Sequence, residues 1–528
     1  MNEGSGPIAS LWMTEDAERT GGLDTARLCS SLTDPATLPP IAQVADQKLP
    51  ETFQDIGALG LANMEGKFAA ALFPVDFPWF ELDLASESLY DPSIPDERKQ
   101  AVRQRLFLLK LQITATIESA GLSEEGRYSG MAFRSHKRNV INSILVTGEA
   151  LEHIDDNYRF RMFRRDQYVT RRDHCGDVVY HVIRENKDPL TLKDTHFAKS
   201  GLKRDELKDK GFKDRCQELY TKVEWSPNSK KWTVIQEMNG HTINEFDEPV
   251  PSYFCTPFRL VVGENYGRGY VEKLSPSLRT LNELEIRRLD MLAAASRVNP
   301  CIDFASQVRD TDLAKPSGRV IRCKVVGGVP QDVGFLGYPN IREFQMLTTG
   351  IDQKYTALAR SFLLESQTIP NQDRVTRFQV LRIAQELEGI TGGFYVPVAE
   401  SQQIPQLRRV LWQMQRDKLM KPLPEKAVRI EAFTGVAALA RANKAADLLE
   451  YTQAVAALGP EAMARINTGI LAGELARMKN IDVPGLVKSE EQIAKERQEM
   501  MMMAAQQKAI DVTGNIVENQ AAAQQAPA

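Results

Sequence analysis

The segment IREFQMLTTGIDQKYTALARSF (residues 341–362) decides the fold. Its large apolar side chains recur at steps of three and four residues, which is the spacing of one helix face. They are Phe344, Leu347, Ile351, Tyr355, Leu358 and Phe362. The sequence therefore predicts one long amphipathic helix with a single apolar stripe, which ends before Pro370 because proline cannot continue a helix.

A second helical pattern lies upstream, at residues 277–298, and Asn299-Pro300 ends it. Its leucines are Leu278, Leu281, Leu284, Leu289 and Leu292. Residues 301–340, between the two patterns, are rich in glycine and in strand-forming residues. At about 1.5 Å per residue each helix spans roughly 30–40 Å, so a paired-helix stalk would hold this small β-containing insert at its end.

The rest of the chain predicts mixed α and β structure. Residues 1–50 are rich in Gly, Pro, Ser, Thr and Asp, and predict a loosely ordered arm with one short helix. Further helices are expected at 102–117, 131–150, 375–420 and 435–480, and hairpins at 168–180 and 223–234. The Met-, Gln- and Ala-rich C-terminal segment predicts a helical extension that becomes disordered. The fold class is therefore α+β, mainly helical.

The composition is that of a globular chain without a dominant charge. Of 528 residues, 42% are hydrophobic and 26% charged, and the formal net charge is −4. This excludes a wholly disordered chain and provides no basic footprint for wrapping DNA. Six isolated cysteines predict reduced thiols without a disulfide framework. The sequence has neither a membrane-length apolar run nor a signal peptide, so we expect no membrane association. We expect the protein to act where it is synthesised or inside a larger assembly formed there.

Two stretches resemble nucleotide-binding motifs but lack the residues or the spacing that these motifs require. The stretch from Gly60 to Lys67 has one residue too many for a phosphate loop, and Phe68 stands where a Ser or Thr must hold the metal. Packing by small residues on a helix explains this stretch better. The glycines between Gly263 and Gly269 lack the dinucleotide spacing and predict a tight turn before the next helix.

No pattern in the sequence predicts catalysis or metal binding. His174, Cys175 and His181 flank the first hairpin, but a zinc site needs a fourth ligand, and no suitable residue lies near them in the sequence. The sequence contains neither a nucleophile elbow nor an HExxH helix. We therefore predict that the protein is not an enzyme and has no catalytic residues, cofactor or metal.

Arginines cluster around the first hairpin with few acidic neighbours. They are Arg159, Arg161, Arg164, Arg165, Arg171 and Arg172. Alternate positions of a strand project from one face, so these side chains could form a basic surface. Such a surface would suit nucleic acid or an acidic partner, and a salt-bridge surface between subunits is an equally good interpretation.

Motifs in a fixed order resemble those of the portal, or head-to-tail connector, proteins of short-tailed bacteriophages. GALGLAN (57–63), followed by ALFP (71–74) and Trp79, resembles the N-terminal signature of the family. YGRGY (266–270), followed by Leu278 and Leu281-Asn282, resembles the start of its first stem helix. The region after its tunnel loop is resembled by RVT (374–376), Ala384, ELE (386–388), Gly392-Gly393, Tyr395, Gln403, Pro405 and Arg409-Val410. The resemblance covers residues from about 50 to 460.

The resemblance implies a phage portal fold with a wing, a two-helix stem, a β-containing clip and a helical crown, assembled as a ring. The implied divisions are an N-terminal arm (1–50), the wing (51–274 and 375–434), the stem helices (275–300 and 341–365), the clip (301–340), the tunnel loop (366–374), the crown (435–500) and a disordered tail (501–528).

The same resemblance implies a dodecameric ring at one capsid vertex of the virion, assembled in the host cytoplasm. Double-stranded DNA would pass through the ring during packaging by the terminase and again during ejection. The implied partners are further copies of this chain, the major capsid and scaffolding proteins, the terminase, tail adaptor proteins at the clip, and internal core or ejection proteins at the crown.

A near-neutral chain suits such a conduit, because many phosphate contacts would hold DNA too tightly for it to move. The candidate channel residues are Gln372, Asp373 and Arg374 in the tunnel loop, Arg279, Arg287 and Arg288 in the first stem helix, and Arg319, Arg322 and Lys324 in the clip. For each stem or clip residue, an ion pair between subunits is an equal alternative. Some relatives carry a tunnel-loop arginine where this chain has TIPN (368–371), which puts an arginine valve in doubt.

Two other classes of protein compete with a structural ring. A packaging enzyme, either a nuclease or an ATPase, would need a phosphate loop or a carboxylate cluster, and the sequence shows neither. A soluble adaptor or scaffold protein would fit the helical C-terminal segment but not the β-containing middle of the chain.

Overall fold

The structure is a computed structural model in which the chain divides into two compact units. It describes residues 6–40, 49–73, 79–84, 96–119, 132–296, 299–305, 308, 323–326, 329–331, 333–336, 341–364, 387, 389, 395–420, 428–432, 448–455, 457 and 471. The first unit comprises Met1–Glu81, Gln112–Pro424 and Ile430–Thr434, and the second comprises Leu82–Leu111, Glu425–Arg429 and Gly435–Ala528.

Helices account for most of the described secondary structure. The longer ones are α1 (Pro7–Glu18), α2 (Thr20–Leu32), α3 (Ile56–Leu72), α4 (Asp96–Ser119), α5 (Phe133–Thr147), α9 (Tyr270–Ser296), α10 (Ile341–Ser361) and α12 (Ile404–Arg416). The short ones are α6 (Asp194–Lys199), α7 (Arg204–Lys208), α8 (Phe212–Arg215) and α11 (Tyr395–Val398), which a π-helical turn (Ala399–Gln403) joins to α12. No helix in the described ranges is long and apolar enough to cross a membrane.

The strands are mostly antiparallel partners of their sequence neighbours. They are β1 (Phe80–Leu84), β2 (Glu149–Ile154), β3 (Phe160–Phe163), β4 (Tyr168–Arg172), β5 (Val178–Lys187), β6 (Gln217–Ser226), β7 (Lys231–Met238), β8 (His241–Glu248), β9 (Tyr253–Pro257), β10 (Asn299–Ile302), β11 (Val325–Val326), β12 (Val329–Pro330), β13 (Val333–Leu336) and β14 (Val428–Ala432). Both predicted hairpins are confirmed, as β4–β5 and β6–β7.

Two sheets of the first unit share one apolar core. The three-stranded sheet has the order β3-β2-β9, and the five-stranded sheet has the order β4-β5-β6-β7-β8. Because strand side chains alternate between faces, one face of the larger sheet points to the smaller sheet. The core residues are Leu151, Phe163, Tyr168, Ile183, Val223, Val234 and Cys255.

The other face of the five-stranded sheet is covered by the N-terminal helix. Ile8, Ala9 and Trp12 of α1 pack on Val169, Val182 and Tyr220, and Trp12 is only 1% exposed. The prediction of a loosely ordered arm is therefore wrong for α1 and α2. The sequence does not reveal these contacts because α1 packs on strands β4 to β6, and α2 packs on helices α5 and α9, all of which lie far along the chain.

Polar contacts also fix this N-terminal segment. Ile8 and Ala9 donate their backbone N–H groups to the buried Glu237 carboxylate of β7, at 3.0 and 3.3 Å. The first backbone N–H groups of a helix lack intrahelical partners, so an acid there satisfies them and complements the helix dipole. Arg19 is 4% exposed and donates to the backbone carbonyls of Arg165 and Tyr168.

The helix α9 begins at Tyr270, before the predicted start, and continues through Pro276. Proline lacks the N–H that would bind the carbonyl four residues earlier, which here belongs to Glu272. The Ser275 hydroxyl donates to that carbonyl at 2.9 Å instead. The side chain thus replaces the missing backbone hydrogen bond and lets the helix pass the proline.

The turn before α9 depends on close backbone contact between glycines. Gly148 ends α5 with a φ of 91°. A Cβ at Gly148 would overlap the carbonyl oxygen of Gly267, and a Cβ at Gly269 would crowd the carbonyl oxygen of Leu145. The predicted tight turn is confirmed at residues 261–264, where the N–H of Glu264 binds the carbonyl of Val261 at 3.0 Å, and Gly267 and Gly269 serve backbone packing.

Replacing Gly148 with alanine should lower the free energy of unfolding by about 2–5 kcal/mol, because it adds a left-handed conformational penalty to a backbone clash. Gly263 has a φ of 86°, and no atom lies within 4 Å of the position that a Cβ would take there. Gly263→Ala is thus a matched control that carries only the conformational penalty, about 1 kcal/mol. Urea unfolding of both variants would measure the difference, and equal losses would contradict the clash.

Candidate functional site

The predicted stalk is present as a pair of packed helices, α9 and α10. At one end of the pair, Leu278 and Leu281 of α9 and Ile351 and Leu358 of α10 are buried. Towards the other end, none of the described side chains at 282–294 or 342–350 is buried. The described part of the chain therefore leaves the distal half of the pair at least partly exposed.

Large apolar side chains lie exposed on this distal half. Leu289 is 44% exposed, Leu292 45% and Met346 77%. In the predicted stripe of α10, Ile351, Leu358 and Phe362 are buried, whereas Tyr355 is 45% exposed. Leu289 and Leu292 lie three residues apart on one helix face, and contiguous exposed apolar surface is typical of sites that bind a partner.

The candidate arginines of the first stem helix lie on α9. Arg279 is exposed and pairs with Glu283 at 3.2 Å, and Arg288 pairs with Glu285 at 2.7 Å. Arg287 is exposed one turn beyond Glu283. The structure thus places Arg279 and Arg287 on one face with an acidic residue between them, and Arg288 on another.

The remaining candidates are mostly beyond what the structure describes. Lys324 is exposed beside the β11–β12 hairpin, where its carbonyl accepts the N–H of Gln331 at 2.9 Å. The candidates that lie outside the described residues are Arg319, Arg322, Gln372, Asp373 and Arg374.

Side chains of two other helices hold the C-terminal end of α10. The Asn63 amide of α3 donates to the carbonyls of Phe362 and Leu363 at 2.8 and 3.0 Å. The Lys67 ammonium donates to the Leu363 carbonyl at 3.1 Å, and the Tyr270 hydroxyl donates to the Ser361 carbonyl at 2.7 Å. We name Asn63, Lys67 and Tyr270 the α10 clasp.

The α10 clasp is closely packed. Phe362 is fully buried and lies so close to Gly60 of α3 that a Cβ at that glycine would overlap its ring. Lys67 is also fully buried. The stretch from Gly60 to Lys67 therefore packs helices, as the sequence predicts, and is no phosphate loop.

The last turn of α10 closes in a Schellman motif. The N–H of Leu364 binds the carbonyl of Ala359 at 2.9 Å, and the N–H of Leu363 binds that of Arg360 at 3.1 Å. Leu363 occupies the left-handed position of this motif, with a φ of 55°. Glycine usually fills that position, since a bulky side chain is strained there.

A buried ionic network joins α5, β2 and the segment around α12. Glu152 accepts hydrogen bonds from Lys137 at 2.6 Å, from Gln406 at 2.7 Å and from Gln402, and lies 2.9 Å from Nε2 of His136. Burial alone would raise the pKa of Glu152, but the Lys137 charge and the hydrogen bonds from His136 and Lys137 outweigh it and hold the pKa well below 4.5. Glu152 is therefore ionised in the folded protein.

The arginine cluster around the first hairpin is largely neutralised within the chain. Arg171 pairs with Glu18 at 3.1 Å, and the side chain of Arg172, only 6% exposed, lies 3.6 Å from Glu149. Arg161 and Arg164 pair with Glu185 and Asp166, and Arg165 is buried over the Tyr266 ring. The sequence misses this because most of the acids come from other elements.

The suspected metal residues around the same hairpin do not share one environment. Asp173, His174 and Cys175 lie together and exposed, and the Asp173 carboxylate accepts the N–H groups of Cys175 and Asp177 at 2.8 and 2.9 Å. His181 is buried and pairs with the Thr170 hydroxyl at 2.9 Å. The carboxylate thus shapes the turn, and His181 serves the sheet.

Sequence reasoning misses the α10 clasp and the Glu152 network. One signal was present, because Lys67 interrupts a helix of small and apolar residues. A lysine at such a position indicates a buried cation that needs acceptors. One acceptor is the backbone carbonyl of Leu363, 296 residues away, which no side-chain pattern reveals.

Comparison with known proteins assigns the chain to a family. Residues 6–486 match the model of the bacteriophage head to tail connecting protein family, so the chain belongs to that family. The portal protein of Escherichia phage T7 is 27% identical over 92% of this chain and 88% of that protein. The portal protein of Enterobacteria phage T3 is 27% identical over 94% of this chain and 89% of that protein.

A solved structure also overlaps with the chain. It is that of the virion of a native gene transfer agent particle, with 8% identity, a TM-score of 0.35, and coverage of 78% of this chain and 83% of the other. Membership of the family identifies the chain as a portal-type structural protein of the virion of a short-tailed phage. The predicted family is thus confirmed.

Proposed function

We propose that this protein forms a ring of identical subunits at one capsid vertex and that double-stranded DNA passes through its centre. The observation that carries the proposal is the partly exposed distal half of the α9–α10 pair. Two helices alone leave Leu289, Leu292 and Met346 in water. Neighbouring copies related by rotation would cover these side chains repeatedly around a closed ring.

The charges on α9 are more typical of a contact between subunits than of a surface that binds DNA. Arg279, Glu283, Arg287 and Asp290 are exposed and alternate in sign along the helix. Phosphate binding requires cations that accumulate on one surface. Alternating charges instead suit ion pairs with a neighbouring copy, and leave a channel that guides DNA without holding it.

The subdivision of the family supplies the rest of the proposal. Residues 275–300 and 341–365 would form the stem, residues 301–340 the clip that receives tail adaptors, and residues 366–374 the tunnel loop. The crown at 435–500 would meet internal core proteins. A dodecamer assembled in the host cytoplasm would meet capsid and scaffolding proteins, receive DNA from the terminase, and release the DNA during ejection.

The double variant Leu292→Asp/Met346→Asp tests this proposal. We expect the wild-type protein to form rings and the variant to remain monomeric, because each new carboxylate would have to be desolvated at every subunit contact. Native mass spectrometry and negative-stain images would measure ring formation. The control is Met13→Asp, an exposed methionine outside the stalk, which should leave rings intact. A wild-type protein that stays monomeric under all conditions would refute the proposal.

A further inference from the structure

We propose that Asn63 and Lys67 are positioning residues that fix the direction in which the chain leaves α10. This inference rests on the proposed function, because residues 366–374, which follow α10, are the proposed tunnel loop. In this view the α10 clasp sets where that segment starts relative to the body of the first unit.

Several consecutive backbone groups are held at the end of α10. The last carbonyls of a helix have no intrahelical partners and usually bind water. Here three consecutive carbonyls, those of Ser361, Phe362 and Leu363, accept hydrogen bonds from side chains of α3 and α9. A contact that only stabilised α10 could lie anywhere along it, whereas these contacts act where the helix ends and the direction of the chain is decided.

Lys67 carries a buried charge next to the end of α10. A fully buried ammonium group loses its hydration, which is costly unless acceptors are placed to receive it. The C-terminal end of a helix carries partial negative charge and attracts a cation. Lys67 donates to the Leu363 carbonyl, just beyond that end. The charge therefore fixes a particular position of Leu363.

Leu363 itself adopts a left-handed backbone conformation. A left-handed backbone costs a bulky residue energy that glycine avoids. Such a conformation persists when the surrounding contacts determine it. The Schellman hydrogen bonds on one side and the α10 clasp on the other supply these contacts at Leu363.

The helix α3 also holds the chain downstream of this segment. The amide of Gln403, which is fully buried, donates to the carbonyl of Leu72 at the end of α3, at 3.0 Å. One helix thus fixes the chain at Leu363 and again at Gln403.

Hydrogen–deuterium exchange of the full-length protein tests the local part of this inference. In Asn63→Ala and Lys67→Met, the amides of residues 362–364 should exchange about tenfold faster or more, the effect of losing one such hydrogen bond. Lys210→Met removes an exposed lysine elsewhere and should change nothing. The inference is overturned if residues 362–364 exchange as in the control, or if exchange rises equally throughout the first unit.

The yield of DNA-filled particles tests the functional part of this inference. Rings of Asn63→Ala and Lys67→Met should have wild-type mass, yet yield several-fold fewer DNA-filled particles. Tyr270→Phe, which removes one hydroxyl, provides a milder variant if Lys67→Met fails to fold. Faster local exchange with normal packaging would reduce the α10 clasp to a stabilising contact and overturn the inference. A wild-type protein without rings would refute the proposed function instead, and exchange would still decide whether the α10 clasp holds residues 362–364.

Discussion

Replacing Glu152 with glutamine is expected to lower the free energy of unfolding by about 3–5 kcal/mol. The carboxylate is fully buried and is the charge partner of Lys137, which is 1% exposed. Glutamine has nearly the same shape, but it leaves the ammonium group without a counter-charge. It also turns one acceptor into a donor that faces the donors of its neighbours. Chemical unfolding at a fixed protein concentration would measure the loss.

Lowering the pH should diminish, within a defined range, the difference in free energy of unfolding between the wild-type protein and Glu152→Gln. The folded pKa of Glu152 lies below its usual 4.5 because the Lys137 charge and the hydrogen bonds to it outweigh burial. An acid with a lowered folded pKa contributes its full stability above the unfolded pKa, and loses it as the pH falls towards the folded pKa. The gap between wild type and Glu152→Gln should therefore be constant from pH 7 to about 5 and shrink below about 4.5.

The matched control is an exposed ion pair. Lys203 and Glu206 lie 3.1 Å apart with most of both side chains in solvent. Solvent-exposed pairs contribute little, so Glu206→Gln should cost at most about 0.5 kcal/mol. If Glu152→Gln lowered the free energy of unfolding at pH 7 by no more than Glu206→Gln does, the buried network would not stabilise the fold.

Replacing Trp12 with alanine is expected to cost about 3–5 kcal/mol. The indole fills the space between α1 and the five-stranded sheet, with its ring 6.3 Å from that of Tyr220. The guanidinium groups of Arg19 and Arg184 each lie 5.1 Å from the ring centre. Removing the ring would empty a packed space and take an aromatic partner from both arginines.

The neighbouring residue provides the control for this second variant. Met13 is 52% exposed on the same helix, so Met13→Ala should change stability by less than about 0.5 kcal/mol. Limited proteolysis would add a local measurement, because α1 and α2 should be cleaved earlier in Trp12→Ala. Equal stability of the two variants would mean that the N-terminal segment is held loosely after all.

Periodic segments could be predicted from the sequence because periodicity follows directly from local geometry. The stripe from Phe344 to Phe362 gives α10, and the alternation around Trp225 and Trp232 gives the β6–β7 hairpin. The observed start of α9 precedes the predicted one because proline commonly interrupts a helix, and periodicity does not reveal the local hydrogen bond by which the Ser275 hydroxyl compensates for Pro276.

The sequence shows which charged residues belong to the candidate site, but not which residues they contact. Arg279 and Arg288 stand out in the sequence, yet their partners Glu283 and Glu285 become evident only once the helix is in place. The α10 clasp is harder still, because Asn63 binds a backbone carbonyl 299 residues away. Backbone acceptors are identical at every position, so the sequence carries no mark of which one is used.

The docking of α1 has a consequence for synthesis on the ribosome. The carboxylate that receives Ile8 belongs to Glu237, 229 residues further along the chain. At about 5–20 residues per second, the first helix waits on the order of 10–50 s for its partner strand to emerge. During that interval Trp12 is an uncovered apolar side chain on the unfinished chain.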